Sequence, residues 1–212
     1  LKKYLIKKNL DINKENKDGI TPLIYSCFIE NENLIKYLIE NGTDIYEENS
    51  EGITPLMYGC KGIGNEIIIK KLVKFEADIN KENNKGITPL MYSCEIGNVD
   101  IVEKLIKYGA DTDKENSKGK TPLMYSCKIG NGDIVEKLIK CGANIDKENR
   151  KGITPLMYSC KIGNGDIVEK LIKCGANIDK ENRKGITSLM YACKKSKINS
   201  NIIEILIKNG AS

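Results

Sequence analysis

The chain contains no histidine and no tryptophan, and only two phenylalanines. The missing histidine excludes Ser–His and Cys–His nucleophile pairs and any His-ligated metal. The scarcity of large aromatics leaves the core to Ile, Leu, Val, Ala and Met. No run approaches the roughly 18 apolar residues of a membrane span, and no signal peptide is recognisable. There is no Cys-x-x-Cys pair, no Gly-x-Gly-x-x-Gly and no Gly-x-x-x-x-Gly-Lys run. Carboxylates are plentiful but recur in register, as a solvated face does. The residues therefore point to no catalytic group, cofactor or metal, and the expectation is a protein that is not an enzyme.

What is present suits a folded chain. Apolar residues make up 40% and charged residues 30% of the 212 positions, which supports a core and argues against disorder. The net charge of +5 is unevenly placed. Up to residue 119 there are 17 Lys/Arg against 20 Asp/Glu; from residue 120 there are 17 against 9. A basic second half attracts acidic partners, although a Lys-rich solvated surface has the same composition.

Thr-Pro-Leu recurs at Thr21, Thr54, Thr88, Thr121 and Thr154, and a sixth copy at Thr187 reads Thr-Ser-Leu. The steps are 33 residues, with one of 34, between Thr54 and Thr88. Residues 121–154 and 154–187 are identical, so neither copy marks a unique site. Self-similarity at this period signals a stacked repeat.

Each unit parses alike. Thr88 is suited to cap a short helix, and Pro89 to its first position, where a missing N–H costs nothing. Gly97 offers a left-handed stop. Asn98 caps a second helix in which Ile101, Val102, Leu105 and Ile106 form one apolar stripe. Gly109 ends it, and the polar run from Ala110 to Gly119 reads as a hairpin-like loop to the next unit. Two such short helices bury no core alone; stacked units do.

Gly-x-Thr-Pro-Leu, two short helices and Gly-Ala-Asp or Gly-Ala-Asn together resemble the ankyrin repeat, over nearly the whole chain. The resemblance implies an all-α ankyrin-repeat solenoid of stacked helix–turn–helix units with hairpin-like loops. A single such domain is expected over 1–212, as a half repeat at 1–18 and repeats near 19–51, 52–85, 86–118, 119–151, 152–184 and 185–212. The family usually places His after Thr-Pro-Leu, where it supports bonding between loops. Here Ile24, Met57, Met91, Met124, Met157 and Met190 stand there, so stacking is expected to lean more on packing, with Met toward the neighbouring unit and Tyr covering the short helix. Glu76 replaces a helix-ending Gly. Extra residues near 62–65 and 195–200 predict irregular turns.

Six of the eight Cys (Cys27, Cys60, Cys94, Cys127, Cys160, Cys193) share one place in each unit, and Cys141 and Cys174 match each other. Equivalent residues on stacked helices lie roughly 8–10 Å apart, beyond the about 7 Å that a disulfide spans. The six are read as small buried core residues and the other two as partly exposed. Free thiols in this number suit a reducing compartment inside the cell, the cytoplasm first.

The resemblance implies a protein-binding scaffold whose partner docks on the concave side, made by loop tips and first helices. The copies differ most there. The candidate contacts are Glu48, Glu51, Lys85, Lys118, Lys120, Lys128, Arg150, Lys151, Lys161, Arg183, Lys184 and Lys194. They predict a protein partner with an acidic segment over the last three units. The residue after the tip Gly is Ile in five copies and Lys120 in one, and a row of exposed Ile there would make a sticky ridge. Two other readings remain. One is nucleic-acid binding through the basic half, against which stands the lack of an aromatic platform or groove-entering motif. The other is a regulatory arm of an enzyme encoded outside this sequence. The opening residues 1–8 read as the end of a helix already under way, and Ile202, Ile203, Ile205 and Leu206 keep a full apolar stripe. A monomeric piece of a longer repeat protein is expected.

Overall fold

The computed structural model describes residues 11–61, 66–194 and 196–212. The helix end expected over 1–8 and the irregular turn expected near 62–65 lie outside them. Among the described residues there are helices and turns but no strand. The chain forms two compact units, Leu1–Ala110 and Asp111–Ser212.

The first unit holds α1 (Pro22–Phe28), α2 (Glu32–Glu40), α3 (Pro55–Lys61), α4 (Glu66–Lys74), α5 (Pro89–Ile96) and α6 (Val99–Lys107). The second holds α7 (Pro122–Ile129), α8 (Gly132–Lys140), α9 (Pro155–Ile162), α10 (Gly165–Lys173), α11 (Ser188–Cys193) and α12 (Ser196–Lys208). Within each unit the odd-numbered helices stack on one another, and the even-numbered helices do the same. Each odd helix also packs against the even helix that follows it.

The local causes are those of the repeat. Thr88 Oγ1 accepts from Met91 N at 3.3 Å, and Thr121 and Thr154 do the same for Met124 and Met157. Each hydroxyl satisfies one of the N–H groups that a helix start leaves without a partner. Gly97, Gly130 and Gly163 close α5, α7 and α9 in the left-handed conformation. The even helices bury one stripe, such as Ile134, Val135 and Leu138 in α8.

The core is aliphatic. Met57, Met91, Met124 and Met157 are buried, but Met190 in α11 is 51% exposed. Met57, Met124 and Met157 lie on odd helices against which a further odd helix stacks, and α11 is the last odd helix described. Cys27, Cys60, Cys94, Cys127 and Cys160 are buried as expected, whereas Cys193 is exposed, for the same reason. Cys141 and Cys174, just past α8 and α10, are exposed. The two extra residues of the last unit do not make an irregular turn over 196–200. They lengthen the final helix, and α12 runs for 13 residues where α8 and α10 have 9. Among the described residues no helix is long and apolar enough to cross a membrane.

Candidate protein-binding surface

Each loop is organised by one asparagine. Asn116 Oδ1 accepts from Lys118 N at 2.8 Å and Lys120 N at 2.9 Å. Its own N–H donates to Lys120 O at 3.0 Å, and its Nδ2 donates to the Tyr125 hydroxyl at 2.9 Å. Asn83 makes the same set around Lys85, Ile87 and Tyr92, and Asn182 around Lys184, Ile186 and Tyr191. These asparagines are buried, so the loop tip is pinned to the start of the helix that follows it. A buried amide with every group bonded holds a defined geometry.

Neighbouring loops are tied as well. In the second unit Asp113 accepts from Asn144 N at 2.8 Å, and Asp146 accepts from Asn177 N at 3.1 Å. Glu115 pairs with Lys147 at 3.0 Å, and Glu148 with Lys180 at 2.9 Å. Arg150 N donates to Lys118 O at 3.2 Å. That approach needs Gly119, whose φ of +72° favours glycine and where a Cβ would lie 2.6 Å from Arg150 N. Loop-to-loop stacking is thus hydrogen-bonded and ion-paired as well as packed.

These ties set a row of cations in the second unit. Lys118, Lys120, Arg150, Lys151 and Lys161 line a cavity of about 460 Å³ together with Ile153 and Tyr158. Arg150, Lys151, Lys161, Arg183, Lys184 and Lys194 line the adjoining one, of about 540 Å³, with Ile186 and Tyr191. Neither lining contains a carboxylate. The first unit differs. Its cavity of about 270 Å³ carries mixed charge, with Glu48, Asp78 and Lys81 among its walls. Glu48 is engaged there by Lys81 at 2.6 Å. In the loops of that unit burial holds the Glu47 carboxyl above its usual range, and the negative charges of Asp44, Glu15 and Asp11 push it the same way.

A family model described as ankyrin repeats matches in three copies, over residues 1–83, 61–149 and 127–212. The chain belongs to the ankyrin-repeat family. No curated protein matches it. Ankyrin repeats are generally protein–protein interaction modules.

Of the residues singled out from the ankyrin pattern, eight come together in the second unit: Lys118, Lys120, Arg150, Lys151, Lys161, Arg183, Lys184 and Lys194. Lys128, exposed in α7, lines neither cavity. Glu48, Glu51 and Lys85 belong to the first unit, with Glu51 and Lys85 exposed on its loops. The ridge of exposed Ile is not found. Ile53 and Ile153 are 2% and 6% exposed, and Ile20, Ile87 and Ile186 are half-buried. The asparagine turn folds this residue's backbone inward, and its side chain follows. Among the described residues the exposed isoleucines are Ile29 just past α1, Ile96 ending α5, Ile129 ending α7 and Ile162 ending α9, with Ile67 and Ile207 on even helices. Sequence reasoning also missed the Asn–Tyr pairing. Its signal was available, since an Asn stands nine residues before the Tyr in all six units (Asn16 and Tyr25 through Asn182 and Tyr191).

Proposed function

We propose that this ankyrin chain is a scaffold that binds a partner protein on the face made by loops and odd helices, and that the Asp111–Ser212 unit takes an acidic segment of that partner. The observation that carries the reading is the pair of adjoining cavities with eight cations between them and no carboxylate in either wall. Lysines on a solvated face normally interleave with acids; here two of the loop acids, Glu115 and Glu148, face Lys147 and Lys180, and the third, Glu181, lines neither cavity. The cations of the groove therefore keep their field for a ligand.

The repeat also suggests the partner's form. Stacked helices lie about 8–10 Å apart, and an extended chain advances about 3.1–3.3 Å per residue. Three residues of an extended segment match one step of the stack, so acidic side chains at every third position meet successive loops.

The test is to reverse Arg150, Lys151, Arg183 and Lys184 to Glu and to measure affinity for an extended peptide with Glu at every third residue. These four side chains are exposed, so the fold should survive. At roughly 0.7 kcal/mol per contact, affinity falls by about 100-fold. Unchanged affinity, or binding of nucleic acid in preference to the peptide, contradicts the reading.

A further inference from the structure

The two basic cavities are built from nearly identical sequence and differ at two repeat-equivalent lining positions, Ser117 against Arg150 and Lys120 against Ile153; the second of these changes what the cavity tyrosine meets. Ile20, Ile53, Ile87, Ile153 and Ile186 occupy the place after the tip glycine in five loops; the sixth carries Lys120. Its side chain is half-buried. Its Nζ donates to the Tyr158 hydroxyl at 2.8 Å and sits 4.7 Å from the centre of that ring and 6.0 Å from the Tyr125 ring. At the equivalent place in the neighbouring cavity, the Tyr191 hydroxyl accepts from Asn182 Nδ2 instead.

This arrangement has consequences for a ligand. An ammonium has three donors; one is engaged by Tyr158, and two remain. The Tyr158 oxygen accepts from Lys120, so its own proton is left to donate. Arg150 stands in the same wall, its backbone N–H held on Lys118 O, and a guanidinium forks onto two anionic oxygens at once. Lys118, Lys151 and Lys161 complete five positive charges around about 460 Å³. A carboxylate would neutralise one of them with two oxygens. A phosphate monoester brings a charge of about −1.5 to −2 and three acceptor oxygens.

Resting on the reading that this unit takes an acidic segment, we propose that the Lys120–Tyr158 cavity receives a phosphorylated serine or threonine of that segment. The Lys120 ammonium, the Tyr158 hydroxyl and the Arg150 guanidinium hold the phosphate, and the adjoining Arg183–Lys184 cavity takes ordinary carboxylates. Phosphorylation of the partner then strengthens docking at one fixed register along the groove.

Three synthetic peptides test this against the intact chain by fluorescence anisotropy. They share Glu at every third residue and differ at one position, which is Ser, Glu or phosphoserine. The phosphopeptide should bind at least about tenfold more tightly than the Glu peptide, a gain expected of one to three new charge-assisted hydrogen bonds. Lys120→Ile installs the residue that five other loops already carry, so folding is not at risk. It should bring the phosphoserine-to-Glu ratio to near one while weakening the Glu peptide less than about threefold. Tyr158→Phe should reduce the ratio in part, and inorganic phosphate should compete away only the phosphopeptide's advantage. Equal binding of the phosphoserine and Glu peptides overturns the inference and leaves the acidic-segment reading standing. So does a ratio that Lys120→Ile fails to change. Failure of both peptides to bind removes the two readings together. Binding to phosphoinositide vesicles in preference to the phosphopeptide overturns this inference in favour of a lipid headgroup.

Discussion

Asn116 shows how much one side chain carries in this array. It accepts from two backbone N–H groups and donates to Tyr125. Replacement by Ala removes all three bonds in a buried setting, and Asn116→Ala should cost about 3 kcal/mol. Urea denaturation reads this as a lower midpoint at similar slope; a loss under about 1 kcal/mol would mean that the amide is not what organises the loop. The thiols give a second residue-scale test. Burial pushes Cys27, Cys60, Cys127 and Cys160 up to about 12 from an ordinary 9.0. At pH 8 the thiolate, the reactive form, is thus nearly absent from them. A thiol reagent should label Cys141, Cys174 and Cys193 quickly in the native protein and the five buried thiols only on unfolding. The native state keeps protons that the unfolded chain releases, so these groups favour folding below pH 9. That contribution is lost as pH rises from about 9 to 12. Rapid native labelling of all eight would contradict the packing.

At the scale of the element, helix starts and stops were the most legible part. Thr caps, proline first positions and glycine stops act within a few residues, so their period is visible without a structure. Glu76 is the informative exception. Other even helices end on a glycine at positive φ, such as Gly109 at +90° and Gly142 at +93°, whereas Glu76 adopts +67° with a Cβ to accommodate. Glu76→Gly should raise stability by about 1 kcal/mol, seen as a higher denaturation midpoint; a lower one would show that the side chain has another role. Two expectations failed for a common reason, which is that a local pattern does not say what lies next to it. The isoleucines after the tip glycine sit in a polar loop and read as exposed, yet the Asn turn folds Ile53 and Ile153 inward. Met190 and Cys193 match buried positions letter for letter, but buried copies such as Met157 and Cys160 lie on an odd helix with a further odd helix stacked on it, and α11 is the last one described. The lengthened α12 likewise absorbed an insertion that the spacing alone assigned to a turn.

For the whole molecule, charge placement carries the proposed function. The excess of cations after residue 119 was countable in the sequence, and so were the residues that hold it. What counting could not supply was the pairing. Lys147, Lys170 and Lys180 are drawn to Glu115, Glu136 and Glu148, which stitches loop to loop and helix to helix. Lys118, Lys120, Arg150, Lys151, Arg183 and Lys184 are gathered into two cavities without acids. The central claim is that this second group binds an acidic partner through its field. The most direct measurement titrates the intact protein with the every-third-Glu peptide across a salt series from roughly 0.05 to 0.5 M, beside the variant reversed at Arg150, Lys151, Arg183 and Lys184. The wild-type affinity should fall by at least about tenfold over that range as screening shortens the field, and the weaker variant should respond little. A wild-type affinity indifferent to salt, or a variant that binds as the wild type does, would contradict the account.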